Sequence, residues 1–190
     1  MVSMNNGVGY LELIIGPMYS GKTSKLLAIK KKYDICNIPC CVINYIGDNR
    51  YHDTMLSTHD NVMIPCINAE LLKDVLTERI IKKYTVFLIN EGQFFYDLYE
   101  NVFSLVEDYS KKVYICGLDG DYKRQKFGQI LDLIPICDNI KKEHAICSIC
   151  KNGNKALFSQ RITKNIEQKL IGSKNYQTVC RKCFKKKDLN

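Results

Sequence analysis

The sequence predicts an α/β fold: a parallel sheet that carries a phosphate-binding loop and is flanked by helices, followed by a small C-terminal zinc-binding lobe. Three observations predict it. Apolar runs of strand length alternate with stretches of helical periodicity, the pattern of a parallel sheet covered on both faces. A glycine-bearing loop, "GPMYSGKT" (Gly16 to Thr23), follows the first of those runs. Two C-x-x-C pairs, Cys147/Cys150 and Cys180/Cys183, close the chain.

Taken in order, "YLELII" (10–15) is rich in apolar residues and reads as a strand. The glycine loop and a helical stretch, "GKTSKLLAIKKKYD", come next. "CCVINYI" (40–46) is a second strand. "AELLKDVLTERIIKKY" (69–84) places Leu71, Leu72, Val75, Leu76 and Ile80 on one helical face. "TVFLI" (85–89) is a third strand, "LYENVFSLVEDYS" (98–110) a helix, and "KVYICGL" (112–118) a fourth strand. From residue 144 the apolar runs shorten. The expected division is residues 8–143 for the sheet domain, 144–185 for the cysteine lobe and 186–190 for a loose tail.

Composition bounds the function. A chain of 190 residues, 46% of them hydrophobic, holds one domain or one domain with an appendage. No apolar run approaches the roughly 18 to 20 residues that span a bilayer. "MVSMNNGVGY" has neither a basic n-region nor an apolar h-region, so no signal peptide is expected and the expected location is cytoplasmic. The net charge of +8 admits nucleic acid or small anions as partners. Its lysines fall in short groups, Lys30 to Lys32 and Lys185 to Lys187, with no basic stripe interleaved with aromatics, which favours phosphate ligands over nucleic acid. Ten cysteines without a secretory signal read as reduced thiols and metal ligands. The six unpaired ones (Cys36, Cys40, Cys41, Cys66, Cys116, Cys137) mostly lie among apolar residues and read as small core side chains.

Parallel sheets bind ligands at the carboxyl ends of their strands. Four notable stretches fall there: the glycine loop, "GDNRYHD" (47–53), "NEGQFF" (90–95) and "DGDYKRQKFG" (119–128). "GPMYSGKT" fits G-x-x-x-x-G-K-[ST] in the required strand–loop–helix context. Gly16 and Gly21 let the backbone, with Pro17, Met18, Tyr19 and Ser20, fold around phosphate oxygens, and the loop amides and helix N-terminus face the negative charge. Lys22 reaches the outer phosphates of ATP and the Thr23 hydroxyl is a magnesium ligand. In loops of this kind an Asp at the end of a later strand holds a magnesium-bound water. Here that position is Asn90, whose amide oxygen accepts a hydrogen bond without adding charge. Glu91, one residue further, suits a general base beside the phosphate site. Asp48 and Arg50 form a second polar pair, with Arg50 able to steady a hydroxyl or a transferring phosphoryl group. The four paired cysteines suit tetrahedral zinc, with the long spacer 151–179 looping out and back. His52, His59 and His144 read as ordinary loop histidines.

These residues resemble the type II thymidine kinases, the cellular and poxviral kind. The resemblance rests on "LIIGPMYSGKT", "DNRYHDTMLSTHD", "EGQFF", "GLDGDYKRQKFGQILDLIP" and the two cysteine pairs with "YQTVCRKC", in family order from about residue 10 to 184. It implies ATP-dependent, magnesium-assisted phosphorylation of the 5′-hydroxyl of thymidine, a step in DNA precursor supply, with Glu91 as general base and Asp48 and Arg50 beside the nucleoside. It further implies a base pocket of Met18, Phe94, Leu118, Tyr122 and Phe127, with Phe127 stacked on thymine. A lasso between the cysteine pairs would close over the base, with Ser159, Gln168, Leu170 and Tyr176 at it. A homotetramer inhibited by thymidine triphosphate is implied as well. Asn90 departs from the family's Asp. Two rival readings are a zinc-ribbon ATPase acting on nucleic acid and a catalytically weak nucleotide-binding paralogue.

Overall fold

The computed structural model describes residues 7–47, 55–57 and 63–187. Its centre is a six-stranded sheet in the order β5-β2-β6-β7-β1-β8, with every neighbouring pair parallel. The strands are β1 (Tyr10–Ile15), β2 (Cys40–Tyr45), β5 (Ile67–Ala69), β6 (Val86–Asn90), β7 (Lys112–Gly117) and β8 (Asn139–Lys142). β3 (Met55–Ser57) and β4 (Met63–Pro65) form a separate antiparallel pair.

The period-2 alternation of side chains divides the core into two layers. Leu11, Leu13, Ile15, Phe87, Ile89, Val113 and Ile115 face one side, against Leu98 and Val102 of α3 (Leu98–Phe103) and against Leu72, Ile130 and Leu133. Ile14, Val42, Val86, Leu88 and Cys116 face the other, against Leu26 and Leu27 of α1 (Lys22–Ile35). Burial of each such leucine stabilises the fold by about 2 kcal/mol. The same alternation puts Asn90, two residues after Leu88, on the α1 face, where Thr23 begins that helix.

Two expected helices differ in the structure. The stretch 69–84 is not continuous. Ala69 closes β5, a 3-10 turn spans Leu72–Asp74, and a short α2 (Glu78–Lys83) begins only after an extended Thr77. The Asp97 carboxylate accepts from the Leu72 and Lys73 amides at 3.1 and 3.0 Å, which starts the turn, and the β-branched Val75 and Thr77 disfavour helix between the two pieces. The stretch 98–110 is α-helical only to Phe103 and then widens to a π turn over Ser104–Asp108. Of the unpaired cysteines, Cys41 and Cys116 are core residues, whereas Cys40, Cys66 and Cys137 are half-buried and Cys36 is exposed.

Beyond β8 lie two small antiparallel pairs, β9 (Ala145–Ile146) with β10 (Lys155–Ala156) and β11 (Phe158–Arg161) with β12 (Tyr176–Val179), followed by α4 (Arg181–Lys187). Ala145, Cys147, Ala156, Val179, Cys180, Cys183 and Phe184 form their common core. The helix runs to Lys187, so the expected loose tail does not begin at 186, and residues 188–190 lie outside the described residues. Among the described residues no helix is long and apolar enough to cross a membrane.

Candidate active site

The loop after β1 wraps the start of α1. Gly16 has φ +147°, and a Cβ there would stand 2.4 Å from the Glu143 carbonyl oxygen, so glycine is required. Tyr19 takes a left-handed φ of 56°, a conformation rare outside glycine. The first turn of α1 carries no acidic residue, which leaves its amides and dipole directed at an anion. The Lys22 ammonium lies buried under the loop and donates to the Pro17 carbonyl at 2.6 Å and to Ser20 Oγ at 3.4 Å. Ser20 Oγ in turn donates to the Pro17 carbonyl.

Asn90 sits beneath this loop, almost fully buried. Its Oδ1 accepts from the Cys116 thiol at 2.9 Å and from Thr23 Oγ1 at 3.4 Å, and its Nδ2 donates to Asn44 Oδ1 at 2.8 Å. Asn44 Nδ2 donates onward to Asn68 Oδ1 at 3.1 Å, which also accepts from the Cys66 thiol. Asn68, Asn44 and Asn90 are register partners on β5, β2 and β6, so three amides form a ladder across the sheet to the phosphate loop. A hydroxyl and a neutral amide oxygen are hard donors that suit Mg²⁺, without the charge of a carboxylate.

Glu91 follows with φ 56° and ψ 42°, a strained turn that lifts its side chain off the strand. Its Oε2 accepts from Gln93 Nε2 at 2.7 Å, and Gln93 Oε1 accepts from the Leu118 amide at 2.9 Å. Gln93 is buried and so joins the ends of β6 and β7. Gly128 makes this close packing possible: at φ +59° it lies where a Cβ would stand 2.1 Å from the Gln93 carbonyl oxygen.

One cavity joins these parts. Its lining includes the loop from Met18 to Ser24, Asn90 and Glu91 at one end, and Phe94, Leu118, Tyr122, Phe127, Ser159, Leu170 and Tyr176 at the other. Phe94 and Phe127 meet edge to face at 5.4 Å. Ser159 Oγ accepts from the Met18 amide at 2.9 Å, which ties the lobe to the phosphate loop. Glu91 lines the same cavity as the loop and the aromatic rings.

Three expected site residues do not line this cavity. Gly16 and Pro17 support the loop but do not line this cavity. Gln168 does not line it either, because its amide donates to Asp121 Oδ2 at 2.8 Å and to the Lys126 carbonyl. Asp48, Arg50, His52 and His59 lie outside the described residues. Sequence reasoning missed Gln93, Asp121, Ile171 and Gly172. "EGQFF" and "DGDY" drew attention to the first two segments, but nothing local marks Gln93 and Asp121 as anchors.

The sulfurs of Cys147, Cys150, Cys180 and Cys183 all lie within 4.8 Å of one another, a donor set that fits tetrahedral zinc. Burial pushes the Cys147 thiol up, and the amides of Cys150, Cys180 and Ile149 aimed at its sulfur outweigh that and lower it. Burial and the neighbouring sulfurs push Cys183 up.

A parallel sheet with a phosphate loop at one strand end, an acidic residue beside it and an aromatic pocket beyond defines a phosphate-loop nucleotide-binding protein. The thymidine kinase family model matches residues 9–184, and the chain belongs to that family. It is 42% identical over 180 residues to the thymidine kinase of sheeppox virus, covering 93% of this chain and 97% of the relative. The thymidine kinase of Yaba monkey tumor virus is 39% identical over 182 residues, covering 95% and 97%. That of vaccinia virus (strain Western Reserve) is 40% identical over 177 residues, covering 93% and 97%.

Proposed function

We propose that this chain transfers the γ-phosphoryl group of ATP to the 5′-hydroxyl of thymidine. The observation that carries the reading is the one cavity that the phosphate loop, Glu91 and the aromatic residues line together. The amides of the loop and α1 hold the triphosphate, and Lys22 turns from the Pro17 carbonyl onto its outer oxygens. Mg²⁺, when bound, supplies positive charge to the phosphate oxygens, and Thr23 with Asn90 would hold it. The rings of Phe94 and Phe127, with Leu118, Tyr122, Leu170 and Tyr176, enclose the flat base and set the sugar's 5′-oxygen toward Glu91. Gln93 holds one carboxylate oxygen and thereby directs the other. Glu91 takes the proton of the 5′-hydroxyl as that oxygen bonds to the γ-phosphorus and the bond to the ADP oxygen breaks. Catalysis is then positioning and charge stabilisation, with water excluded by the 162–175 strap. Arg50 is assigned to the transferring phosphoryl group and Asp48 to the loop beside it. The cysteine set holds a structural zinc. Residues 8–143 act as the kinase domain and 144–185 as the zinc and lasso lobe of a cytoplasmic homotetramer inhibited by thymidine triphosphate.

The test is the initial rate of ADP formation with ATP and magnesium, alone and with thymidine, deoxycytidine or deoxyguanosine. Thymidine alone should stimulate it. No stimulation by any nucleoside, in protein that still binds ATP and zinc, overturns the reading.

A further inference from the structure

The connection from β11 to β12, residues 162–175, crosses the nucleoside end of the cavity with only a 3-10 turn at Ser173–Asn175 as regular structure. Connections of that length without their own secondary structure are uncommon in compact domains and need external support. Of the side chains that hold this connection, one reaches three of its carbonyls. Arg161, the last residue of β11, is buried, and the alternation of the strand puts it on the same face as Ser159, toward the cavity. Its guanidinium lies near two rings, 3.9 Å from the Tyr122 centroid and 5.1 Å from that of Tyr176. Nη1 donates to the carbonyls of Asn165, at 3.0 Å, and Glu167, and Nη2 donates to the Gln168 carbonyl, at 3.2 Å, and to Tyr176 Oη.

We propose that Arg161 is the positioning residue of the nucleoside site: it shapes the strap from within and so determines how tightly thymidine is held. The proposal rests on the reading of this cavity as the thymidine site. The planar fork is suited to the task. It supplies several donors in a fixed geometry, close to the Tyr122 ring and to the Tyr176 hydroxyl. A lysine ammonium keeps the charge but cannot span three carbonyls and the Tyr176 hydroxyl with a planar fork. Tyr122 and Tyr176 are themselves strap anchors. Tyr122 Oη donates to the Ile166 carbonyl at 2.7 Å, and Tyr176 Oη donates to the Leu170 carbonyl at 2.9 Å. Both rings also line the cavity, as does Leu170. Arg161 therefore couples the backbone direction of residues 165–168 to the rings that meet the base, although it is not itself among the cavity-lining residues.

The experiment compares the full-length wild type with Arg161→Gln and Arg161→Lys, each zinc-loaded. Two readouts are taken: steady-state constants for thymidine and for ATP, and the rate of tryptic cleavage after the exposed Lys164 without nucleoside. Loss of charge-assisted hydrogen bonds should raise the thymidine KM of Arg161→Gln about tenfold or more, with Arg161→Lys between it and the wild type. The KM for ATP should not change, and kcat at saturating thymidine should stay near wild type. Cleavage after Lys164 should accelerate in both variants and slow again with thymidine. If Arg161→Gln does not fold, Arg161→Lys alone carries the comparison. A wild-type cleavage rate and an unchanged thymidine KM overturn the proposal. So does a fall in kcat with both KM values unchanged, or a loss of zinc, either of which marks a purely structural role. Cleavage without nucleoside reads the strap independently of the substrate, so a wild type that fails to phosphorylate thymidine would count against the proposed function and not against the strap's dependence on Arg161.

Discussion

Asn90→Asp puts the structural reasoning at greatest risk, because it should improve metal binding and damage the fold together. In the wild type Asn90 Nδ2 donates to Asn44 Oδ1, and Asn44 Nδ2 donates to Asn68 Oδ1. An aspartate presents an oxygen where Nδ2 was, so two acceptors meet at the 2.8 Å contact. Asn44 can turn its amide over, but then its own oxygen faces Asn68 Oδ1. Turning Asn68 as well removes the acceptor of the Cys66 thiol. With the new carboxyl ionised, each of these arrangements gives up one contact of the ladder, whose Asn90 end is 1% exposed. Losing such a buried contact costs about 1 to 3 kcal/mol, more if the new carboxylate is poorly solvated. At about 2 to 4 °C per kcal/mol for a chain of this size, the metal-free melting temperature should fall by about 2 to 12 °C. The added negative charge beside Thr23 should lower the magnesium concentration for half-maximal rate by about tenfold, a modest share of one charge interaction at an effective dielectric near 20. The assays are thermal melting without nucleotide or metal, and magnesium titration of the initial rate. An unchanged or higher metal-free melting temperature refutes the ladder argument. An unchanged magnesium titration refutes the metal-side placement of Asn90.

Three further outcomes follow from the site and the core. Glu91→Gln should cut turnover by about 10² to 10⁴-fold while ATP still binds, and turnover near wild type would remove Glu91 from the role of base. Chelation of zinc should weaken thymidine binding before ATP binding, because Ser159, Arg161 and Tyr176 stand on the strands that the cysteine cluster joins. Parallel titrations of metal release and of the two ligands would show the order, and simultaneous loss would contradict it. Glu12 is nearly buried; burial pushes its carboxyl up, but hydrogen bonds from Lys141, Tyr10 and Asn139 outweigh that and leave it below its usual 4.5. A depressed folded-state value means that its contribution is complete above 4.5 and is lost as pH falls through the folded value. The melting-temperature gap between wild type and Glu12→Gln should therefore be largest near neutral pH and close in acid, and a gap constant with pH would exclude this linkage.

Much of the fold is legible in the chain because the relevant physics is local. β1, β2, β6 and β7 are covered on both faces, so each is a nearly continuous apolar run. The phosphate loop is written in eight consecutive residues, so its pattern is visible without any long-range contact. The cysteine pairs show their spacing directly, and metal-ligand chemistry leaves few other uses for them. Edge strands are different. β8 is "NIKK", polar and mostly exposed, and becomes a strand only because β1 offers it a partner. β5 is three residues long and depends in the same way on β2. The 69–84 stretch has helical periodicity throughout, yet the carboxylate of Asp97, distant in sequence, decides where its first turn begins.

Within the site the same division holds. Lys22, Thr23, Asn90 and Glu91 stand at strand ends or in a contiguous loop, so their order in the chain places them. The roles of Gln93, Asp121 and Arg161 arise from contacts that close only when segments far apart in sequence meet, as Gln168 does with Asp121 across 47 residues. Side-chain identity carries the chemistry of a group that meets phosphate, metal or a hydroxyl. It carries almost nothing about which backbone carbonyl a buried guanidinium will find. The amino-acid sequence by itself therefore determined the four central strands, the phosphate loop and the cysteine set. Only the tertiary structure decided what holds the strap over the pocket, because those hydrogen bonds join segments that local spacing never brings together.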